Sequence, residues 1–390
     1  MKAQEKILVF CSREICYLSG NFFAHQLAGA FEEAGYETTV CEFTSKDDLD
    51  KVLSPFFGKK YRAVFDFNSL LPRLAMDDGT PVTDLIDGPF YDYILDHPLF
   101  HYNCLMTQAK NFHVIVLDEG QADYVRKYHP NVKSVHMLPL GATVALFDGE
   151  KNPADRILFI GTYDSPDKVY DIVKAAPEPF CGMMKRIIEI RIGTPELPME
   201  EAFRACLKEN DMELDSAQFA LFMNTMYASD AYIRDYFRKA ALDELLKRKI
   251  PVRLVGEGWE KYQTPYEKYL TIEKPVTFDL SFEKIARDQI MLDVSPIFNR
   301  GIHDRAIAGM ANRTVVLTDE NPYRSSHFKN REDLMFYSLS EIGSLSEAAG
   351  ELMENDRLRE KIRDNAYQTF CTGHTWRERA EEILSWEAEN

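Results

Sequence analysis

The chain has 390 residues, 45% of them hydrophobic, which is enough for a large core and, at roughly 100–200 residues per domain, for two or three domains. With 63 acidic against 46 basic side chains the net charge is -17, which repels a polyanion and argues against nucleic acid or an anionic membrane as the main partner. The seven cysteines are scattered and never spaced as CxxC, which argues against a zinc site or a disulfide framework, fits reduced thiols and a cytoplasmic location, and no apolar run nears the ~20 residues of a membrane span.

The chain opens on Ile7–Cys11, an apolar run too brief for a signal peptide and read as a buried first strand. Further strands are expected at Glu37–Phe43, Ala63–Phe67, Tyr93–Leu95, His113–Leu117 and Lys133–Leu138, with helices at Phe22–Ala34 and Gln121–Tyr128. This alternation predicts a Rossmann-like parallel sheet over residues 1–150. Two segments carry polar groups suited to an acceptor. The loop Ser19-Gly20-Asn21 follows the first strand, with His25 one turn into the next helix. Leu95–Tyr102 places Asp96, His97 and His101 within six residues, where Asp96 or His97 can act as a base toward an acceptor hydroxyl. The plainer account of this segment has Asp96 capping a helix that begins near Pro98, with the histidines filling the sheet edge.

A polar stretch, Asp148–Pro153, marks the domain boundary, and Ile157–Asp164 starts a second αβ unit over 151–374. Residues 166–248 read as a helical insertion, with helices at Met183–Ile192, Glu200–Lys208, Ser216–Tyr227 and Ala231–Arg248, and as a place for a partner or acceptor to dock. Strands resume at Pro251–Val255, Ile290–Val294 and Thr314–Thr318, before helices Glu341–Glu354 and Arg357–Cys371 and a closing helix, Trp376–Trp386, that packs back on the first domain. Gly256-Glu257-Gly258 ends a strand, and glycines there let backbone N–H groups approach a phosphate or ribose; a tight strand-to-helix turn explains them equally well. A helix over Ile302–Asn312 would carry Gly301, His303, Asp304 and Arg305 at the carboxyl end of the sheet, where the helix dipole and a guanidinium suit a diphosphate.

Leu254–Trp259, the block from Leu292-Asp293-Val294-Ser295-Pro296 through Gly301–Arg305 to Thr318-Asp319, Phe328–Tyr337 and His374–Ala380 together resemble the C-terminal domain of spore-maturation-type (CgeB-like) glycosyltransferases. The resemblance implies a GT-B architecture, in which two Rossmann-like domains face each other across a cleft. It also implies transfer from a nucleotide diphosphate-sugar to a protein, glycan or small-molecule acceptor, with no metal or other cofactor. It further implies that Gly256, Gly258 and Trp259 line the nucleotide pocket and that Pro275–Phe278, Val276 and Phe278 among them, contact the base. His303 and Arg305 would hold the pyrophosphate, and Gly161 and Thr162 would face the cleft. Many relatives carry glutamates at the positions of Arg300 and Ala308; this chain departs from that pattern, which leaves donor and stereochemistry open.

The absence of GxxxxGK[ST] and of GxSxG argues against P-loop and serine-hydrolase chemistry, and Asp48-Leu49-Asp50 sits in a helix-like polar run rather than at a strand end where a DxD would bind metal. A non-catalytic two-domain nucleotide- or sugar-binding protein stands as the alternative.

Overall fold

The structure, a computed structural model, describes residues 5–14, 18–68 and 71–386, so Cys16 lies outside the described residues. Alternating buried strands and amphipathic helices build two six-stranded parallel sheets. The first comprises β1 (Lys6–Ser12), β2 (Glu37–Phe43), β3 (Ala63–Phe67), β4 (Phe90–Tyr93), β5 (Phe112–Val116) and β6 (Ser134–Met137), in the order β2-β1-β3-β4-β5-β6. The second comprises β7 (Ile157–Ile160), β8 (Val252–Val255), β9 (Leu270–Glu273), β10 (Ile290–Asp293), β11 (Val315–Asp319) and β12 (Met335–Tyr337), in the order β12-β11-β10-β7-β8-β9. The central strands are mostly apolar and fully buried because helices cover both faces of a parallel sheet. In the second sheet the strand order reverses between β7 and β10, the topological switch point at which open α/β sheets leave a crevice.

Some boundaries differ from the sequence-based expectation, each for a local reason. β4 ends at Tyr93 rather than Leu95, because the Leu95 N–H leaves the ladder for the Asn68 side chain at 2.8 Å. The apolar run after Ile157 stays extended only to Ile160, and Tyr163 then donates its N–H to the Glu257 carbonyl. Ser19-Gly20-Asn21 is not a loop but the first turn of the helix Ser19–Glu33, with Gly20 and Asn21 buried. The helix expected from Ile302 begins at Asp304, because the His303 ring nitrogen accepts the Arg305 N–H and caps it. Strands β9 and β12 gave no recognisable pattern: β9 is a half-exposed edge and β12 spans three residues.

Residues 166–248 form five helices, Pro166–Ala175, Phe180–Gly193, Met199–Glu209, Ser216–Thr225 and Tyr227–Lys247. They pack against the first domain: Tyr128 stacks on Phe219 at 4.3 Å, and Asn224 donates to the Leu99 carbonyl at 2.8 Å. The helix Trp376–Trp386 also returns to the first domain, where Trp376, Ala380 and Ile383 join a core built on Phe23, Leu27 and Phe65. No disulfide joins the described cysteines, and no described helix is long and apolar enough to cross a membrane.

Candidate functional site

The carboxyl ends of the two sheets enclose a cleft of about 290 Å³. The second domain contributes Gly161 and Thr162 after β7, Gly256 after β8, Val276 and Phe278 after β9, and His303, Asp304 and Arg305 after β10. Asn68, Leu95 and Asp96 face them from the first domain.

Asp293 ends β10 with no solvent exposure, and its carboxylate accepts the Arg305 guanidinium at 2.7 Å and the hydroxyls of Ser295 and Thr318 at 2.5 and 3.1 Å. Burial alone would raise its pKa; Arg305, with His303 and Arg324, outweighs burial and holds it at about 2. This anchor aims Arg305 so that Nη2 lies 3.3 Å from where a Cβ on Gly161 would stand. His303 Nδ1 is 2.6 Å from Asp304 Oδ1 and 3.1 Å from the Arg305 nitrogen. With a proton on Nδ1 the ring donates to Asp304, and without it the ring caps the helix.

A second guanidinium enters the cleft from the helix Tyr227–Lys247. Arg238 forms no hydrogen bond or ion pair among the described residues, and its Nε is buried without a partner. Burial, with the neighbouring Arg234 and Arg305, presses its pKa down to about 9, so it stays cationic at neutral pH. Two guanidiniums, Arg305 paired with Asp293 and Arg238 without an ion pair among the described residues, thus stand near a helix N-terminus, an arrangement that suits an anion. An aromatic wall flanks them, with Phe22 stacked on Phe282 at 5.1 Å and Phe23 edge-on to Phe278 at 4.9 Å across the domain boundary.

Asp96 reaches this cleft and accepts a hydrogen bond from Asn68 Nδ2 at 2.9 Å. His97 turns away. Its ring is buried, its Nδ1 accepts the Leu99 N–H, and its Nε2 lies 3.4 Å from Glu200 of the helical insertion. His101 is also outside the cleft lining, and His25 sits at the surface, 2.7 Å from Glu42. Gly256 lines the cleft, yet its backbone has another duty: at φ 150°, an added Cβ would lie 2.0 Å from the Gly161 carbonyl oxygen. Gly258, at φ 86°, abuts the Tyr163 carbonyl, and buried Trp259 donates to the Gly161 carbonyl at 2.7 Å, so these two shape the turn from behind. Gly301 packs against Leu117 and Asp118 of the first domain.

Sequence reading missed Arg238, which lies in a charge-rich helical stretch where nothing distinguishes it from a surface arginine. It also missed Asn68, whose φ of 55° is a conformation asparagine tolerates better than most residues.

Two Rossmann-like domains that meet across a ligand-sized cleft define the GT-B fold, and several solved structures share it. Sucrose-phosphate synthase from Thermosynechococcus elongatus is 12% identical, with 99% of each chain aligned and a TM-score of 0.55. The Anabaena protein HepE, in complex with UDP and glucose, is 10% identical over 99% of this chain and 100% of its own, with a TM-score of 0.55. An alpha-glucosyltransferase bound to UDP and a 13-mer DNA containing an HMU base is 11% identical over 99% of each chain, with a TM-score of 0.58. Residues 234–385 match the family model described as glycosyl transferase-like, a stretch that includes Arg238 and the β10–β11 site. No curated protein sequence matches the chain.

Proposed function

We propose that this protein is a glycosyltransferase of the hexosyltransferase kind that uses a nucleotide diphosphate-sugar and needs no metal. The observation that carries the proposal is the pair Arg238 and Arg305 beside the N-terminus of Asp304–Ala311, at the switch point of a GT-B fold. The diphosphate lies along the Gly161 and Gly256 backbone between the guanidiniums, and the base rests against Val276 and Phe278. As the bond from the anomeric carbon to the phosphate oxygen breaks, negative charge grows on the leaving nucleoside diphosphate. The fixed cations stabilise it in the role a metal plays elsewhere. The acceptor enters from the Asp96 side, and its hydroxyl oxygen bonds to the anomeric carbon. Its proton passes to Asp96 or to the leaving phosphate, according to whether the configuration inverts or is retained.

The similarity of Leu254 onward to spore-maturation-type glycosyltransferases supports this reading, as do the UDP complexes of two proteins with the same fold. A net charge of -17 favours a protein, glycan or small-molecule acceptor over DNA, and the scattered cysteines, never spaced as CxxC, fit a cytoplasmic site of action.

Thermal shift against a panel of nucleotides and nucleotide-sugars in excess EDTA, followed by an assay for released nucleoside diphosphate, tests the proposal. One nucleotide family should stabilise the protein and its sugar conjugate should turn over, with Asp96→Asn lowering the rate while sparing nucleotide affinity. Stabilisation without release would establish the non-catalytic binding protein instead.

A further inference from the structure

The segment between β10 and the helix Asp304–Ala311 is held from both domains. On the side of the second domain, Asn321 Nδ2 donates to the carbonyls of Phe298 and Gly301 at 2.6 and 2.9 Å. On the other side, Asp118 and Gly301 form an isolated antiparallel bridge between the domains. The Arg300 N–H donates to Asp118 Oδ2 at 2.6 Å, and the Glu119 N–H donates to the Arg300 carbonyl at 3.1 Å. The approach is so close that a Cβ on Gly301 would stand 2.4 Å from the Leu117 carbonyl oxygen. Two residues later His303 caps the helix that carries Arg305.

We infer that Asp118 is a positioning residue for the phosphate site of the opposite domain, acting through the latch it forms with Arg300 and Gly301. The inference rests on the proposed nucleotide-sugar reading. Asp118 divides its two oxygens between tasks. Oδ1 accepts the N–H groups of Gly120 and Gln121 and caps the helix Glu119–Tyr128, and Oδ2 alone accepts from Arg300. When the domains are together, the first domain fixes where the backbone enters the His303 cap, and so where Arg305 stands. When they part, only second-domain contacts hold the segment: Asn321 at Phe298 and Gly301, Asp319 at Ser295 and Arg191 at Pro296. Closure onto an acceptor and grip on the donor phosphates are thereby one event, which explains why an acceptor-side residue should alter affinity for the phosphates and not for the base.

The separation of oxygens supplies the test. Asp118→Asn keeps an oxygen for the helix cap, since asparagine caps as well as aspartate, but places an amide NH2 against the Arg300 N–H. Gly301→Ala attacks the same latch from the other domain. UDP, GDP and ADP and the three matching nucleosides are titrated into the wild type and both variants by calorimetry, with unfolding temperature as a check on folding. Both variants should lose about tenfold in the preference for the diphosphate over its nucleoside, with nucleoside affinity unchanged. Wild type and variants sharing one preference would overturn the latch while leaving the proposed function intact. Equal losses for nucleoside and diphosphate would overturn it in favour of a general folding role. A wild type that binds no diphosphate would sink the proposed function itself.

Discussion

Asp293 and Arg305 form a pair in which the carboxylate is wholly buried and the guanidinium nearly so, whereas Arg238 in the same cleft makes no hydrogen bond or ion pair with a carboxylate among the described residues. The two arginines should therefore respond differently to removal. Arg305→Ala strands Asp293 with only hydroxyl donors, so the fold should lose about 3 kcal/mol and any loss of binding will be confounded with that. Arg238→Ala strands nothing, so its unfolding free energy should change by less than about 1 kcal/mol. Its affinity for nucleoside diphosphate and its turnover should nonetheless fall about 100-fold, because a charge-assisted contact to phosphate is gone. Denaturant titration beside calorimetry separates the two cases, and an Arg238→Ala protein that binds as well as wild type would remove the phosphate assignment.

At the scale of the element, the helical insertion is legible as helices in the sequence, but its role is not. It braces the first domain, and His97 belongs to that brace. Burial would lower the His97 pKa, but the hydrogen bond and charge of Glu200 more than compensate and raise it above the ordinary 6.5. Glu200 is correspondingly lowered from 4.5, its burial outweighed by His97. The stabilisation from histidine is complete below pH 6.5 and lost as pH climbs through the raised value, and that from glutamate is complete above pH 4.5 and lost as pH falls through the lowered one. The seam is thus tightest between these limits. Unfolding temperature measured against pH should decline above 6.5 in the wild type and decline less steeply in His97→Gln; parallel curves would show that the pair contributes nothing.

For the whole molecule, the domains are tied at separate places: by the Tyr128–Phe219 and His97–Glu200 contacts of the insertion, by the Trp376–Trp386 helix on Ser19–Glu33, and by the Asp118–Gly301 bridge. Trp376 lies 5.9 Å from Phe23 and Trp386 stacks on His136 at 3.9 Å, so the last helix of the chain completes the first domain's core. The protein should unfold in one calorimetric transition whose calorimetric and van't Hoff enthalpies agree, and two resolved transitions would show that these ties do not couple the domains.

The sequence alone determined the two parallel sheets and most of their strands, because a fully buried strand must be a short β-branched or aromatic run, and Ile7–Cys11, Ala63–Phe67 and Ile290–Val294 are such runs. Gly256 and the His303–Arg305 turn also stood out, as glycines at a strand end and an arginine just inside a helix start, whereas Gly161 entered through the family resemblance. What the sequence did not determine is which face each polar side chain presents. Asp96 and His97 are neighbours in the chain, yet one faces the cleft and the other the insertion, since adjacent residues of an extended segment point to opposite sides. Arg238 comes from a helix that ends before β8, and Asp118 from the other domain; their meeting with the β10 turn depends on contacts distant along the chain, which only the tertiary structure decides.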